Sequence, residues 1–277
     1  MKQVTLPCGE TVSALGQGTW RMGDDPARRH EEITCLRRGI DLGMTLIDTA
    51  EMYGEGLSEA LVGEAIEGRR DEVFIVSKVY PHNASRRAMQ RSCDNSLKRL
   101  RIEAIDLYLL HWPGDVPLAE TVESFEALRR AGKIRHWGVS NFDTARMQEL
   151  CELPAGAAVQ TDQVLYNLGR RGIEWDLLPW LGQRRIPVMA YSPLEEGRLV
   201  RRRALVAFAQ KHGMTPAQAA IAWLVGREGV IAIPKTGNRD RLEENALALK
   251  HPLTTAQLHE LDTLFPPPTG PSALEMI

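Results

Sequence analysis

Short apolar, β-branched runs that end in polar residues or glycine alternate along the chain with longer stretches of helical periodicity. The runs span Ser13–Trp20, Met44–Thr49, Glu72–Lys78, Ile105–His111, Lys133–Ser140, Ala158–Gln163, Pro187–Ser192 and Val230–Lys235, which makes eight predicted strands. Predicted helices lie at Pro26–Leu42, Ser58–Ile66, Ser85–Leu100, Leu118–Ala131, Asp143–Leu150, Glu174–Arg184 and Thr215–Gly226, with two more at Arg239–Ala246 and Thr254–Leu264. Ser58, Ser85, Asp143 and Thr215 are N-cap residue types, and Pro216 suits a first helical position. Strands that are apolar on both faces and alternate with helices point to a parallel sheet covered by helices. Eight such units predict an α/β fold closed as a (β/α)8 TIM barrel. Ahead of them, Gln3–Val12 reads as two short strands around Pro7–Glu10, an N-terminal β-hairpin placed to plug the barrel floor. Pro266–Pro268 stops the last helix, and the short C-terminal tail from Thr269 reads as a loop.

Length alone leaves one large domain or two ordinary ones open, since 277 residues suit either. No Pro/Gly/Ser linker marks a boundary, so a single barrel domain over 1–277 is the expectation. With 34 Lys+Arg against 36 Asp+Glu, the charge balance gives no reason to expect a nucleic-acid or acidic-membrane partner. No stretch approaches the ~18 apolar residues of a membrane span, and the start lacks a signal-peptide pattern, so a cytoplasmic protein is expected. Cys8, Cys35, Cys93 and Cys151 are widely separated and include no CxxC. Reduced thiols are expected, with no metal site or redox dithiol.

A barrel of this kind builds its active site at the C-terminal ends of its strands, so the residues that end each run matter most. The second run ends in Asp48, with Tyr53 in the loop beyond; the third ends in Lys78; the fourth ends in His111 and Trp112. Singly, a strand-end Asp caps a turn and a strand-end Lys points to solvent. Together they deliver a carboxylate, an amine, an imidazole and a phenol to one mouth. That set suits proton transfer to a carbonyl oxygen. A Lys78 ammonium is expected to lower the Tyr53 pKa, Asp48 to keep Lys78 charged, and His111 to orient the substrate oxygen or share the proton. No activated nucleophile stands out, which disfavours covalent hydrolysis.

DTAEMYG at Asp48–Gly54, GTW at Gly18–Trp20, LLHWP at Leu109–Pro113, GKIRHWGVSNF at Gly132–Phe142, DQVLYN at Asp162–Asn167, AYSPL at Ala190–Leu194 and IPKTGNRDRLEEN at Ile233–Asn245 occur in one order over nearly the whole chain. In that order they resemble the aldo-keto reductases, nearest in pattern to bacterial members that reduce methylglyoxal and other small aldehydes. The resemblance implies that Asp48, Tyr53, Lys78 and His111 form the family's catalytic tetrad, with Tyr53 as general acid. It also implies NADPH as cofactor, lying extended across the mouth. Ser140, Asn141 and Gln163 are expected to hold the nicotinamide carboxamide and Tyr191 to stack on its ring. Ser192 and Leu194 enter the loop over the pyrophosphate, and Lys235, Thr236, Arg241, Glu244 and Asn245 form the adenosine 2'-phosphate and adenine site. A Rossmann site has no support, because Arg21 stands where the glycine fingerprint needs its last glycine. Trp20 and Trp112 are candidate walls of a shallow substrate pocket, the tail being too short to select bulky substrates. A monomer is the family's expectation.

Two other readings compete. An NADPH-binding redox sensor or channel-associated subunit on the same barrel keeps the site with little turnover. A metal-dependent barrel hydrolase needs several ligands at strand ends, and only His111 among the seven histidines sits there.

Overall fold

The computed structural model describes residues 2–277. Its first two strands, β1 (Gln3–Thr5) and β2 (Thr11–Ser13), pair antiparallel as the predicted hairpin. Eight parallel strands follow: β3 (Gln17–Gly18), β4 (Leu46–Asp48), β5 (Phe74–Val79), β6 (Ile105–Leu110), β7 (Ile134–Ser140), β8 (Asp162–Leu165), β9 (Val188–Tyr191) and β10 (Val230–Ala232). Their spatial order is their chain order. Parallel bridges from Leu15 to Ala232 and from Gly18 to Lys235 join the first strand to the last and close the barrel. Glycine is needed at this seam, because a Cβ on Gly18 would lie 2.8 Å from the Ile233 carbonyl oxygen.

Two apolar layers account for the doubly buried strands. Inside the barrel, Leu46, Phe74, Val76, Leu107, Leu109, Met189 and Ile231 pack with Val4, Leu6 and Val12 of the hairpin, which shields the floor from water. Outside it, alternate strand residues such as Ile47, Ile75, Tyr108 and Val139 pack under the helices. The helices are α1 (Arg29–Asp41), α2 (Leu57–Ala65), α3 (Arg86–Leu100), α4 (Leu118–Arg130), α5 (Thr144–Glu152), α6 (Leu177–Gln183), α7 (Arg203–Lys211), α8 (Pro216–Gly226), α9 (Arg239–Leu247) and α10 (Thr255–Leu264). Asp143 caps α5 through the Arg146 N–H, and Thr215 forms a capping box with Gln218 ahead of Pro216.

Several local expectations change. Ser58 does not cap α2; the N-cap is Gly56 and the Ser58 hydroxyl turns inward. Ser85 holds the N-cap position of α3 without a side-chain cap bond. The predicted helix Glu174–Arg184 breaks into a 3-10 turn and α6, because Asp176 caps a fresh start at Leu177. Helix α7 has no counterpart in the sequence reading. No helix among the described residues is long and apolar enough to cross a membrane.

Candidate active site

Asp48 ends β4, Lys78 lies near the end of β5 and His111 follows β6, so the barrel register brings three strand ends to one mouth. The Lys78 side chain is fully buried, and its ammonium donates to Asp48 Oδ2 at 2.8 Å, to the Thr49 carbonyl at 2.9 Å and to the Tyr53 hydroxyl at 3.0 Å. Asp48 Oδ1 accepts in turn from Gln163 Nε2 at 2.8 Å. Each ammonium proton thus has one acceptor, which fixes the direction in which Lys78 faces Tyr53.

The electrostatics correct one expectation. Burial raises the Tyr53 pKa and Asp48 adds to the rise, so Lys78, which pulls the other way, does not bring it below the ordinary phenol value. Burial also disfavours charge on Lys78, but Asp48 and Tyr53 outweigh it and its pKa is raised. The result is a lasting ammonium beside a lasting phenol. His111 is buried, with its Nδ1 lacking a partner, and burial followed by repulsion from Lys78 lowers its pKa to about 2. Burial thus favours the neutral imidazole, which can orient a substrate oxygen through an N–H. Its ring stands edge-on to Tyr53, with centroids 5.8 Å apart.

A second network lies beside the first. Ser140 ends β7 and donates to the Gln163 carbonyl at 2.7 Å. Asn141 sits at φ +61°, donates through Nδ2 to the Ser140 hydroxyl at 3.1 Å and the His111 carbonyl at 3.2 Å, and accepts from the Tyr191 hydroxyl at 3.0 Å. A left-handed buried asparagine held on three sides is a position the surroundings enforce. Ser192, Glu195 and Glu196 also have positive φ, and Gly197 continues the run. Turns of this kind gather backbone N–H groups into anion-holding concavities. Leu194 packs against the outer core from this loop.

The remaining candidates divide. Lys235 lies on the barrel seam, and the Thr236 hydroxyl is bonded to the Asn238 backbone. Arg241 opens toward solvent on the first turn of α9, capped by Asn238. Arg38 and Arg239 are committed to Glu243, whereas Arg241 has no carboxylate partner among the described residues. Glu244 accepts through its backbone from Gln218, and Asn245 is buried. Trp112 packs on His111 and meets Tyr80 edge-on, whereas Trp20 is exposed beneath the Arg21 guanidinium. Beyond α10, Glu275 pairs with Arg170, which also holds Glu195, and the backbone of Ile277 comes within reach of the Tyr191 hydroxyl. The tail is therefore tied across the mouth-side loops.

Sequence reasoning missed the supports. The Thr19 hydroxyl donates to the Asp48 carbonyl and accepts from Ser58, which also touches Thr49, so three hydroxyls brace the end of β4. Met189 places its sulfur 2.9 Å from Gln163 Nε2. Asp162 is buried with one oxygen on the Phe142 N–H and the other unpartnered, and burial raises its pKa well above the ordinary carboxylate value.

Known proteins share this fold. The sequence pattern of the aldo/keto reductase family matches residues 14–265. Methylglyoxal reductase YeaE of Escherichia coli (strain K12) is 49% identical over 281 residues, covering 100% of this chain and 99% of that one. Methylglyoxal reductase DkgB of Salmonella typhi is 32% identical, over 86% and 87% of the two chains. A crystal structure of an aldo/keto reductase from Klebsiella pneumoniae in complex with NADP and acetate superposes with a TM-score of 0.97 at 49% identity, covering 100% of this chain and 99% of that one. With sequence and fold both matching over nearly the whole length, this chain belongs to the aldo/keto reductase family.

Proposed function

We propose that the chain is an NADPH-dependent reductase of small aldehydes such as methylglyoxal, with Tyr53 as the general acid. The observation that carries this reading is the buried run Gln163–Asp48–Lys78–Tyr53, which ends on a phenol. The names of YeaE and DkgB, and the NADP in the Klebsiella structure, support the substrate class and the cofactor.

The residues fit the cofactor. Ser140, Asn141 and Gln163 would hold its carboxamide, Tyr191 its ring, the left-handed turn from Ser192 through Leu194 to Gly197 its pyrophosphate, and Lys235, Thr236, Arg241, Glu244 and Asn245 its adenosine end. When bound, the nicotinamide supplies a hydride to the carbonyl carbon. Tyr53 gives its phenolic proton to the carbonyl oxygen as negative charge builds there. The phenolate left behind is held by Lys78, and Asp48 keeps that ammonium charged and aimed without reorganisation. His111, neutral throughout, donates an N–H to the same oxygen. Trp112, with Tyr80 behind it, offers an apolar wall for a small substrate, and Trp20 flanks the opening. Arg241 reads the 2'-phosphate, since a guanidinium with no carboxylate partner pairs with phosphate at little desolvation cost.

The test is loss of NADPH absorbance with methylglyoxal, a nitrobenzaldehyde and an aldose, run beside NADH and with Tyr53→Phe as control. Tyr53-dependent oxidation of NADPH is expected, fastest with the smaller aldehydes. Tight NADPH binding without turnover on any of them would sink the reading and favour a sensor.

A further inference from the structure

We propose that Cys8, Glu10 and His136 form a binding site for a thiophilic divalent cation of the Zn2+ type on the barrel floor. Cys8 and Glu10 lie in the hairpin between β1 and β2, and His136 lies on β7. Cys8 Sγ is 3.7 Å from His136 Nε2, and Nε2 is 3.0 Å from Glu10 Oε2. The three ligand atoms all lie within 4.8 Å of one another. Tetrahedral zinc, with bonds of about 2.3 Å to sulfur and about 2.0 Å to nitrogen, sets those two atoms roughly 3.6 Å apart. The sulfur and nitrogen therefore already stand at ligand spacing. Thiolate, imidazole and carboxylate are zinc's own donor types, and three of them leave the fourth position to water.

The surroundings hold these donors in place. The Cys8 backbone N–H donates to Gln160 Oε1 at 2.9 Å, fixing the turn. Arg135 donates to both Glu10 oxygens, at 2.8 and 2.9 Å, and to Asp106 at 2.8 Å. Its positive charge opposes a cation and is only partly offset by Asp106, which it shares with Arg70. On binding, the Cys8 thiol releases its proton to solvent. The cation bonds Sγ, Nε2 and Oε2, with Nε2 offering its lone pair and the ring N–H standing at Nδ1. At least one proton, that of the thiol, is released per cation. Cys8 is the exposed thiol of the four; burial chiefly pushes Cys35 up to about 11 and Cys93 up to about 12.

The experiment titrates metal-free protein with Co2+, then with Zn2+ against a chromophoric chelator, for the native chain, Cys8→Ser, His136→Asn and the double variant. One Co2+ per chain is expected, with a thiolate-to-cobalt charge-transfer band and at least one proton released. The band should vanish in Cys8→Ser, and Zn2+ affinity should fall at least ~10-fold in either variant. Zn2+ should raise the melting temperature of the native chain and not that of the double variant. NADPH turnover in Cys8→Ser reports that the barrel has folded. Co2+ uptake by the native chain without a sulfur band would overturn the site, and so would equal Zn2+ affinity in the double variant.

Discussion

The two ends of the barrel use charge in opposite ways. At the mouth, Lys78 and Asp48 are 0% and 3% exposed, and water cannot take the place of either partner. At the floor, Arg135 is 49% exposed and Glu10 28% exposed where they pair, so solvent screens much of the attraction. A desolvated pair costs a great deal when broken and holds its direction well; a half-solvated one costs little and tolerates change. Chemistry that needs an ammonium aimed at one phenol belongs at the first end, and fastening a hairpin belongs at the second.

Substitutions can sharpen or break this contrast. Replacing Tyr53 with Phe removes the proton donor and keeps the packing, so turnover should drop by roughly 10²- to 10⁴-fold with NADPH affinity within about twofold. Steady-state rates and fluorescence titration check both numbers, and retention of most activity would end the acid assignment. Lys78→Met strands the Asp48 carboxylate in the interior, and urea unfolding should show a loss of about 3–5 kcal/mol. A loss under 1 kcal/mol would mean that the mouth is as forgiving as the floor. Arg241→Ala, on the rim, should weaken NADPH at least ~10-fold and leave NADH nearly unchanged, since only the former carries the 2'-phosphate. Equal losses would remove Arg241 from that role. At the floor, Arg135→Ala should cost about 0–1 kcal/mol and leave kcat unaltered.

The pH profile tests the same end of the molecule. Tyr53 acts in its protonated form and its pKa is raised, so activity should hold through neutral pH and fall only above the ordinary phenol range. His111 is already neutral above about 2, so it contributes no acid limb between pH 5 and 8. A limb near 6.5 that disappears in His111→Gln would contradict the buried neutral ring.

The contrast also marks what a sequence can express. Asp48, Lys78 and His111 were legible because parallel strands entering a barrel must end at one mouth, whichever helices lie between them. Their supports were not, since Thr49 acts through its carbonyl, Met189 through a sulfur across the sheet, and Ser58 through a hydroxyl whose N-cap reading was plausible and mistaken. The direction of the Tyr53 shift depends on how much water reaches it, which no spacing encodes. Helix α7 carries no start signal in the sequence, since it begins at Arg203 without a side-chain cap. The floor cluster joins Cys8 and Glu10 to a histidine far along the chain, a spacing outside the short metal motifs that a sequence displays.

The seam has a consequence for how the molecule is made. Gly18 and Ala14 meet their partners around Ala232 and Lys235, residues separated by nearly the whole chain. A pairing of such separation carries a larger loop-closure entropy than any between neighbouring strands. The seam is thus the contact of greatest sequence separation in the barrel, and Lys235 sits on it. A nucleotide gripping that segment would act as a clasp on the newly closed ring, slowing its reopening more than it speeds its formation.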